Sequence, residues 1–151
     1  MASVKWLARM TAIPEPFRGF FQAERYVVDG EPIGPIAPRT VIVSPTDGAD
    51  IRGGGSSVVR GYAWGGRGGI ARVEVSLDGG VSWHRADLGE QASDFAWAPW
   101  TFAWQPAGPG DVVLIVRATD RAGALQPLEQ NWNALGYMNN AARPIAVRVL
   151  T

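Results

Sequence analysis

A strand, a glycine-rich loop, a second strand and a tight turn follow one another in residues 61–83, GYAWGGRGGIARVEVSLDGGVSW. From residue 72 to residue 77 the side chains alternate strictly: Val73, Val75 and Leu77 are apolar, and Arg72, Glu74 and Ser76 are polar. A period of two is typical of a strand with one buried face. Asp78-Gly79-Gly80 then supplies residues that accept the positive φ of a tight hairpin. The stretch therefore predicts a β-rich fold.

Four glycines surround Arg67 in the loop that precedes the second strand. Glycine costs conformational entropy, so four of them indicate that something approaches this backbone closely. A guanidinium group matches the geometry of an oxyanion, and we therefore predict that Arg67 binds one. The alternative is a solvated loop arginine. A phosphate cradle is excluded, because neither a Gly-x-Gly-x-x-Gly pattern nor a terminal Lys-Ser/Thr precedes a helix here.

The composition of the 151-residue chain excludes several classes of function. Lys and Arg total 14 and Asp and Glu total 14, so no net field attracts nucleic acid or an acidic membrane. No apolar run is long enough to span a bilayer. The chain has no cysteine, hence no disulfide and no thiolate ligand, and its single histidine, His84, excludes a multi-histidine metal site. The compartment, periplasmic or cytoplasmic, stays open.

The chain divides into three parts by composition. Residues 1–28 are densely aromatic without a complete periodic element, and we expect them to pack against something, either the following domain or a missing one. Residues 29–39 carry three prolines and two glycines, which predicts an extended linker. Residues 40–151 alternate short strand patterns with turns, which predicts an all-β immunoglobulin-like β-sandwich preceded by an extended N-terminal segment.

Eight strands are predicted in the sandwich, at residues 40–44, 48–52, 57–64, 70–78, 82–88, 98–105, 111–120 and 144–150. The seventh is almost continuously apolar, so we expect it to be central and covered on both faces. Residues 125–143 form a long asparagine-rich loop before the last strand. Loops of that length are usually functional or form an interface.

Candidates for catalysis by this chain alone are weak. His84 follows Trp83 without a carboxylate or serine at a recognisable spacing, and we interpret it as a strand-face histidine. The carboxylates fall mostly at turns, where aspartate makes local hydrogen bonds. Tryptophans 97, 100 and 104 favour core or interface packing over a ligand cage. An independent hydrolase is excluded for want of a nucleophile–base pair.

Residues 76–83 resemble the Asp-box of sialidase-type propellers, a structural hairpin with aspartate in the turn and tryptophan packed beneath it. A propeller would repeat this motif, and it occurs once here. The sequence therefore argues against a propeller.

A larger set of motifs is similar to the C-terminal dimerisation domain of sulfite-oxidase-type, molybdopterin-dependent oxidoreductases. The matching stretches are residues 3–7, 61–64, the Arg67 loop, 72–80, Trp83, Trp97, 100–102, 116–120, 126–127, 132–133 and 136–140. The chain departs from the family at Ala142-Arg143-Pro144, where relatives usually carry Trp-His.

The resemblance implies that this chain is part of a longer enzyme and is inactive alone. The family's molybdenum is held by a pterin dithiolene and one cysteine on a molybdopterin-binding domain, whose residual edge and strap would be residues 1–28. The resemblance also implies a homodimer, a small oxyanion substrate such as sulfite, Arg67 at the substrate pocket, and Ser3 and Lys5 near the pterin phosphate.

The competing interpretation is a stand-alone immunoglobulin-like module that binds a glycan or a protein through exposed tryptophans. Residues 1–13 discriminate between the two. A free-standing sandwich has no use for Ser3-Val4-Lys5-Trp6-Leu7, whereas the edge of a cofactor domain accounts for it.

Overall fold

The computed structural model describes residues 5–151 and divides the chain into two compact units, Met1–Gly34 and Pro35–Thr151. The boundary falls inside residues 29–39. In the first unit, one turn of π-helix at Phe21–Arg25 precedes a hairpin of two short strands, β1 (Val27–Val28) and β2 (Glu31–Pro32). Asp29 and Gly30 turn this hairpin with φ of 52° and 84°. Residues 29–32, the start of the predicted extended linker, therefore form part of a β-hairpin.

Nine further strands form the second unit. They are β3 (Arg39–Ser44), β4 (Ala49–Arg52), β5 (Ser57–Trp64), β6 (Ile70–Ser76), β7 (His84–Arg85), β8 (Asp87–Leu88), β9 (Ala98–Trp104), β10 (Gly110–Asp120) and β11 (Ile145–Leu150). One sheet has the order β4-β11-β10-β6-β7, and the other has the order β3-β5-β9-β8. Neighbouring strands are antiparallel except β4 and β11, which are parallel. The predicted all-β, immunoglobulin-like sandwich is confirmed.

The core lies between the two sheets and is built from alternate residues of their strands. Its buried side chains include Val59, Ile70, Val73, Val75, Trp100, Trp104, Leu114, Val116, Val147 and Val149. Strand β10 has a neighbour on each side, and Ile115 and Thr119 on its outer face are buried along with Leu114 and Val116 on its inner face. The predicted central position of this strand is confirmed, and its outer face is covered at Ile115 and Thr119, whereas Val113 is 42% exposed.

The predicted strand 82–88 is wrong as a single element. Residues 84–85 pair with β6 in one sheet, and residues 87–88 pair with β9 in the other. Between them Ala86 is buried and donates its backbone N–H to the carbonyl of Val73. The chain thus turns a corner from one sheet to the other, as strands of packed sheets do at their edges.

The predicted hairpin after β6 is confirmed, with Gly79 and Gly80 at φ of 73° and 99°. Ser76 was predicted on a polar, open face, but it is fully buried because its hydroxyl is enclosed by the hairpin, where it donates to Asp78 Oδ1 and accepts from the Gly80 N–H. The Arg117 guanidinium lies 3.8 Å from the centroid of the Trp83 ring. The hairpin therefore covers part of the outer face of the five-stranded sheet.

Candidate functional site

The loop around Arg67, residues 65–69, joins β5 to β6; we call it the arginine loop. Hydrogen bonds from the chain itself fix both of its ends. The Gly66 N–H donates to the Ile36 carbonyl at 2.8 Å, and the Gly69 carbonyl accepts from the Arg121 N–H at 3.0 Å. Just after the loop, the Ile70 N–H donates to Gln91 Oε1 at 3.2 Å. The backbone that carries Arg67 is thus anchored on both sides.

The glycines of the arginine loop are explained by close contacts within the chain. A Cβ added to Gly66 would lie 2.7 Å from the backbone nitrogen of Ile36. A Cβ added to Gly69 would lie 2.6 Å from Gln91 Oε1, and Gly69 also has φ of 81°. The sequence rightly indicated that something approaches this backbone. What approaches it in the structure is the chain's own segment 35–38 and the side chain of Gln91.

Arg67 stands at the apex of this anchored loop. Its side chain is exposed, and within residues 5–151 it makes no hydrogen bond and no ion pair. Its cationic neighbour Arg121, by contrast, is bound to Asp94 at 2.7 Å between Nη1 and Oδ1. An unpaired guanidinium on a fixed backbone keeps its donors available for an anion, because no internal carboxylate competes for them.

An aromatic cluster adjoins the arginine loop at the end of β5. The rings of Trp64 and Trp97 stack with centroids 4.8 Å apart and planes 15° apart. The ring of Tyr62 lies 5.8 Å from that of Trp97. Trp97 remains 59% exposed, whereas Trp100 and Trp104 are buried in the core. The prediction that these tryptophans pack in the core or at an interface is thus confirmed for Trp100 and Trp104, which pack in the core.

The 125–143 loop is tied to the segment that holds the arginine loop. Asn140 Nδ2 donates to the Pro38 carbonyl at 3.0 Å, and Arg39 Nη1 donates to the Asn139 carbonyl at 3.0 Å. Asn133 braces the loop internally through bonds to both the N–H and the carbonyl of Tyr137. The side chains of Asn133 and Asn140 and the backbone of Asn139 therefore stabilise the loop. The loop still exposes 76% of Trp132 and half of Met138.

The other sequence candidates lie apart from this site. His84 is exposed on β7 and stacks on Phe102 with ring centroids 5.9 Å apart, which agrees with a strand-face histidine. Lys5 is exposed in the first unit, and Ser3 falls outside the described residues. No sequence pattern indicated Gln91 or the Arg121–Asp94 pair, because isolated polar residues in loops are common and their partners are set by the fold.

Within residues 5–151 no three histidine, aspartate or glutamate side chains come together as a metal site. Among the same residues, no helix is long and apolar enough to cross a bilayer. The arrangement supplies one free planar cation beside an aromatic surface.

Comparison with known proteins shows to which family the chain belongs. The family model described as the Mo-co oxidoreductase dimerisation domain matches residues 32–149. The chain belongs to this family. This dimerisation domain is 33% identical to human mitochondrial sulfite oxidase over 97% of its own length and 30% of the human protein's. It is 29% identical to sulfite oxidase of Arabidopsis thaliana over 97% of its length and 44% of the plant protein's.

A solved structure shares the architecture of the dimerisation domain. The sulfane dehydrogenase SoxCD from Paracoccus pantotrophus superposes with a TM-score of 0.67 at 30% identity, over 84% of this chain and 36% of that chain. The dimerisation domain thus spans less than half the length of the relatives it matches. Whatever those longer proteins do as wholes involves parts with no counterpart in the present sequence.

Proposed function

We propose that this chain serves as the dimerisation domain of a molybdenum-cofactor oxidoreductase of the sulfite oxidase type, and that it is inactive alone. The observation that carries the proposal is the family match over residues 32–149, together with similarity to sulfite oxidases along nearly the whole chain. The molybdenum would be held by a separate molybdopterin-binding domain. The functional unit would be a homodimer.

Arg67 is proposed to form one wall of a pocket for a small oxyanion, with sulfite as the first substrate to test. Three features support this role. The side chain is exposed, it has no acidic partner within residues 5–151, and its backbone is anchored by Ile36 and Arg121. A preorganised donor binds an anion with little loss of conformational entropy on binding.

The side chains of this chain do not suit a molybdenum centre. The sequence has no cysteine to supply a thiolate and one histidine, His84, which is stacked on Phe102. In the family that the chain belongs to, the metal is expected on a pterin dithiolene and a cysteine thiolate, and this sequence supplies no thiolate. Redox chemistry would therefore belong to the separate domain. Ser3 and Lys5 are proposed to reach the pterin phosphate of that domain, where a lysine ammonium would pair with the negative charge.

Exposed apolar side chains in the first unit support the need for a further domain. Trp6 is 98% exposed, and Met10, Phe17, Phe20 and Phe21 are also exposed. Large apolar groups in such number mark a surface that another structure covers. A stand-alone module for glycans or proteins is not favoured, because it accounts neither for these residues nor for the family match.

The native protein that contains this chain provides the test. It would be isolated from its source cells with an antibody against residues 40–151, followed by intact mass and molybdenum analysis. A species much larger than the 151-residue chain, with molybdenum in near-equal molar amount, is expected. A metal-free species of 151 residues would overturn the proposal and return the glycan- or protein-binding module as the explanation.

A further inference from the structure

The outer face of the four-stranded sheet is apolar, and no other element of the second unit covers it within residues 35–151. On β5 the inward residues Val59, Gly61 and Ala63 are buried, and the alternate residues point outward. The main apolar contributors to the outer sheet face are Val41, Val43, Val58, Tyr62, Trp97 and Pro99. Half or more of Val43, Val58 and Trp97 is exposed. A contiguous apolar face of this kind marks an interaction surface.

One polar row crosses this outer sheet face. The strand register places Arg60 of β5 and Asp87 of β8 on either side of Thr101 of β9, with all three side chains directed outward. Arg60 and Asp87 are exposed, and within the described part of the chain neither makes an ion pair or a hydrogen bond. Two strand spacings, about 10 Å, separate their backbones, with Thr101 between them. The face therefore presents a positive and a negative group at equal distances from a central strand.

We propose that a second copy of this chain covers the outer sheet face, related to the first by a two-fold axis that runs along β9 past Thr101. Rotation about that axis exchanges the two sides of the face. Arg60 of each copy then faces Asp87 of the partner subunit. The dimer therefore contains two equivalent Arg60–Asp87 ion pairs, as a self-complementary two-fold contact requires. A two-fold axis across the strands would instead set Arg60 against its own counterpart, which like-charge repulsion disfavours.

The next row of the sheet fits the same axis. Tyr62 and Gly89 lie on either side of Pro99, the first by strand register and the second through its N–H bonded to the Pro99 carbonyl at 2.8 Å. The rotation places the Tyr62 ring over Gly89 of the partner subunit, where there is no side chain. Along the axis itself, Pro99, Thr101 and Ala103 are small, so the two sheets can approach closely over these residues. At the end of the row the exposed ring of Trp97, stacked on Trp64, would meet Trp97 of the partner subunit. Charge and shape thus select the same arrangement.

This inference rests on the proposed homodimer and specifies its surface. Two charge-reversal variants of the whole 151-residue chain test it, Arg60→Glu and Asp87→Arg. Each variant alone would set like charges opposite each other at two places in the dimer. At about tenfold per contact, the dimer dissociation constant should rise about a hundredfold in each variant. Sedimentation equilibrium measures this.

Mixing the two variants is the decisive arm, because their heterodimer restores an opposite-charge pair at both places. An equimolar mixture should dimerise with nearly wild-type affinity while each variant alone is monomeric at the same concentration. That rescue also shows that both variants are folded. Arg52→Glu, an exposed arginine on β4 of the other sheet, is the matched control and should dimerise as the wild type does.

Each other outcome overturns a defined part of the inference. If both variants dimerise like the wild type, the outer sheet face is not the dimer surface, although the homodimer and the proposed function stand. If the variants are monomeric and their mixture stays monomeric, the two-fold axis along β9 is wrong. If the wild-type chain is itself monomeric, the homodimer fails, and the face is left for another domain or partner.

Discussion

The indole Nε1 of Trp100 donates a hydrogen bond of 2.8 Å to Oγ1 of Thr40, and both side chains are buried. The same hydroxyl donates to the Tyr62 carbonyl at 2.9 Å. Trp100 lies on β9 and Thr40 on β3, with β5 between them, so the pair spans three strands of one sheet from its inner face. A tryptophan in the core can donate but not accept, and it needs such a partner.

Thr40→Val should lower the free energy of unfolding by about 1–3 kcal/mol, because it leaves the buried Trp100 N–H without an acceptor. Thr40→Ser keeps the hydroxyl and removes one methyl group, so it should cost about 1 kcal/mol. Urea unfolding followed by tryptophan fluorescence measures both. A valine variant as stable as the wild type would show that the hydrogen bond contributes nothing.

Gly66→Ala should destabilise the domain by about 1–3 kcal/mol, since the added methyl group would overlap the backbone of Ile36, in the segment that leads into β3. Gly55→Ala is the matched control: nothing lies within 4 Å of a Cβ there, and its φ is not in the left-handed range. It should be neutral or stabilising by up to about 1 kcal/mol through the unfolded chain. Equal effects at the two positions would contradict the close approach seen at Gly66.

The alternation of apolar and polar residues was enough to place most of the strands, because successive side chains of a strand point to opposite faces of the sheet. The period of Val73 and Val75 located β6, and the apolar run of 111–120 located β10. The corner at Ala86 was missed, because alanine fits either sheet and no glycine or proline marks the switch. Gln126 was missed for a similar reason: its buried Oε1 accepts from the N–H groups of Thr40 and Ala118, which only the folded sandwich brings together.

The candidate site divides in the same way. An arginine isolated among glycines is visible in a sequence, and Arg67 is exposed in the structure. The reasons for the glycines are tertiary, because Ile36 and Gln91 meet the loop only after folding. The roles of Arg67, Ser3 and Lys5 toward a substrate or cofactor stay predictions.

Stability should depend on pH through Asp78. Hydrogen bonds from the side chain and backbone of Ser82, with others from Ser76 and Val81, hold the pKa of the Asp78 carboxyl well below its usual value of 3.8. A depressed pKa in the folded state means that the carboxylate stabilises the fold above about pH 4 and loses this contribution as the pH falls further. The difference in melting temperature between the wild type and Asp78→Asn should therefore be constant near neutrality and shrink below pH 4.

Asp50→Asn is the control for this experiment. It removes the same formal charge from an exposed position on β4 where the carboxylate has no hydrogen bond among the described residues. Thermal unfolding monitored by circular dichroism between pH 2 and pH 7 would give both series. A difference for Asp78→Asn that grows with acidity would contradict the sign deduced here.

Arg67→Ala in the native enzyme that contains this chain should raise KM for the oxyanion by about tenfold to a hundredfold, the value of one charge-assisted contact. Molybdenum content should not change, because Arg67 is not a metal ligand. Arg67→Lys keeps the charge and loses the planar fork, so it should fall between the two. Steady-state kinetics with sulfite and metal analysis of the same samples provide the measurement.

Arg52→Ala is the matched control for Arg67, an exposed arginine at the other end of the sandwich, where β4 pairs with Leu150. Its KM should equal that of the wild type. An unchanged KM in Arg67→Ala would remove Arg67 from the substrate pocket while leaving the family assignment intact.

The parallel pairing of β4 with β11 has a consequence for how the domain is made. Residues 49–52 bond to residues 147–150, so one sheet is completed by partners almost a hundred positions apart in the chain. Contacts between residues so far apart in sequence form late, because the intervening chain must lose conformational entropy before these contacts can stabilise the fold. During synthesis on the ribosome, β4 would remain unpaired until β11 emerges. In that interval the β11 of a neighbouring nascent copy could pair with β4 instead.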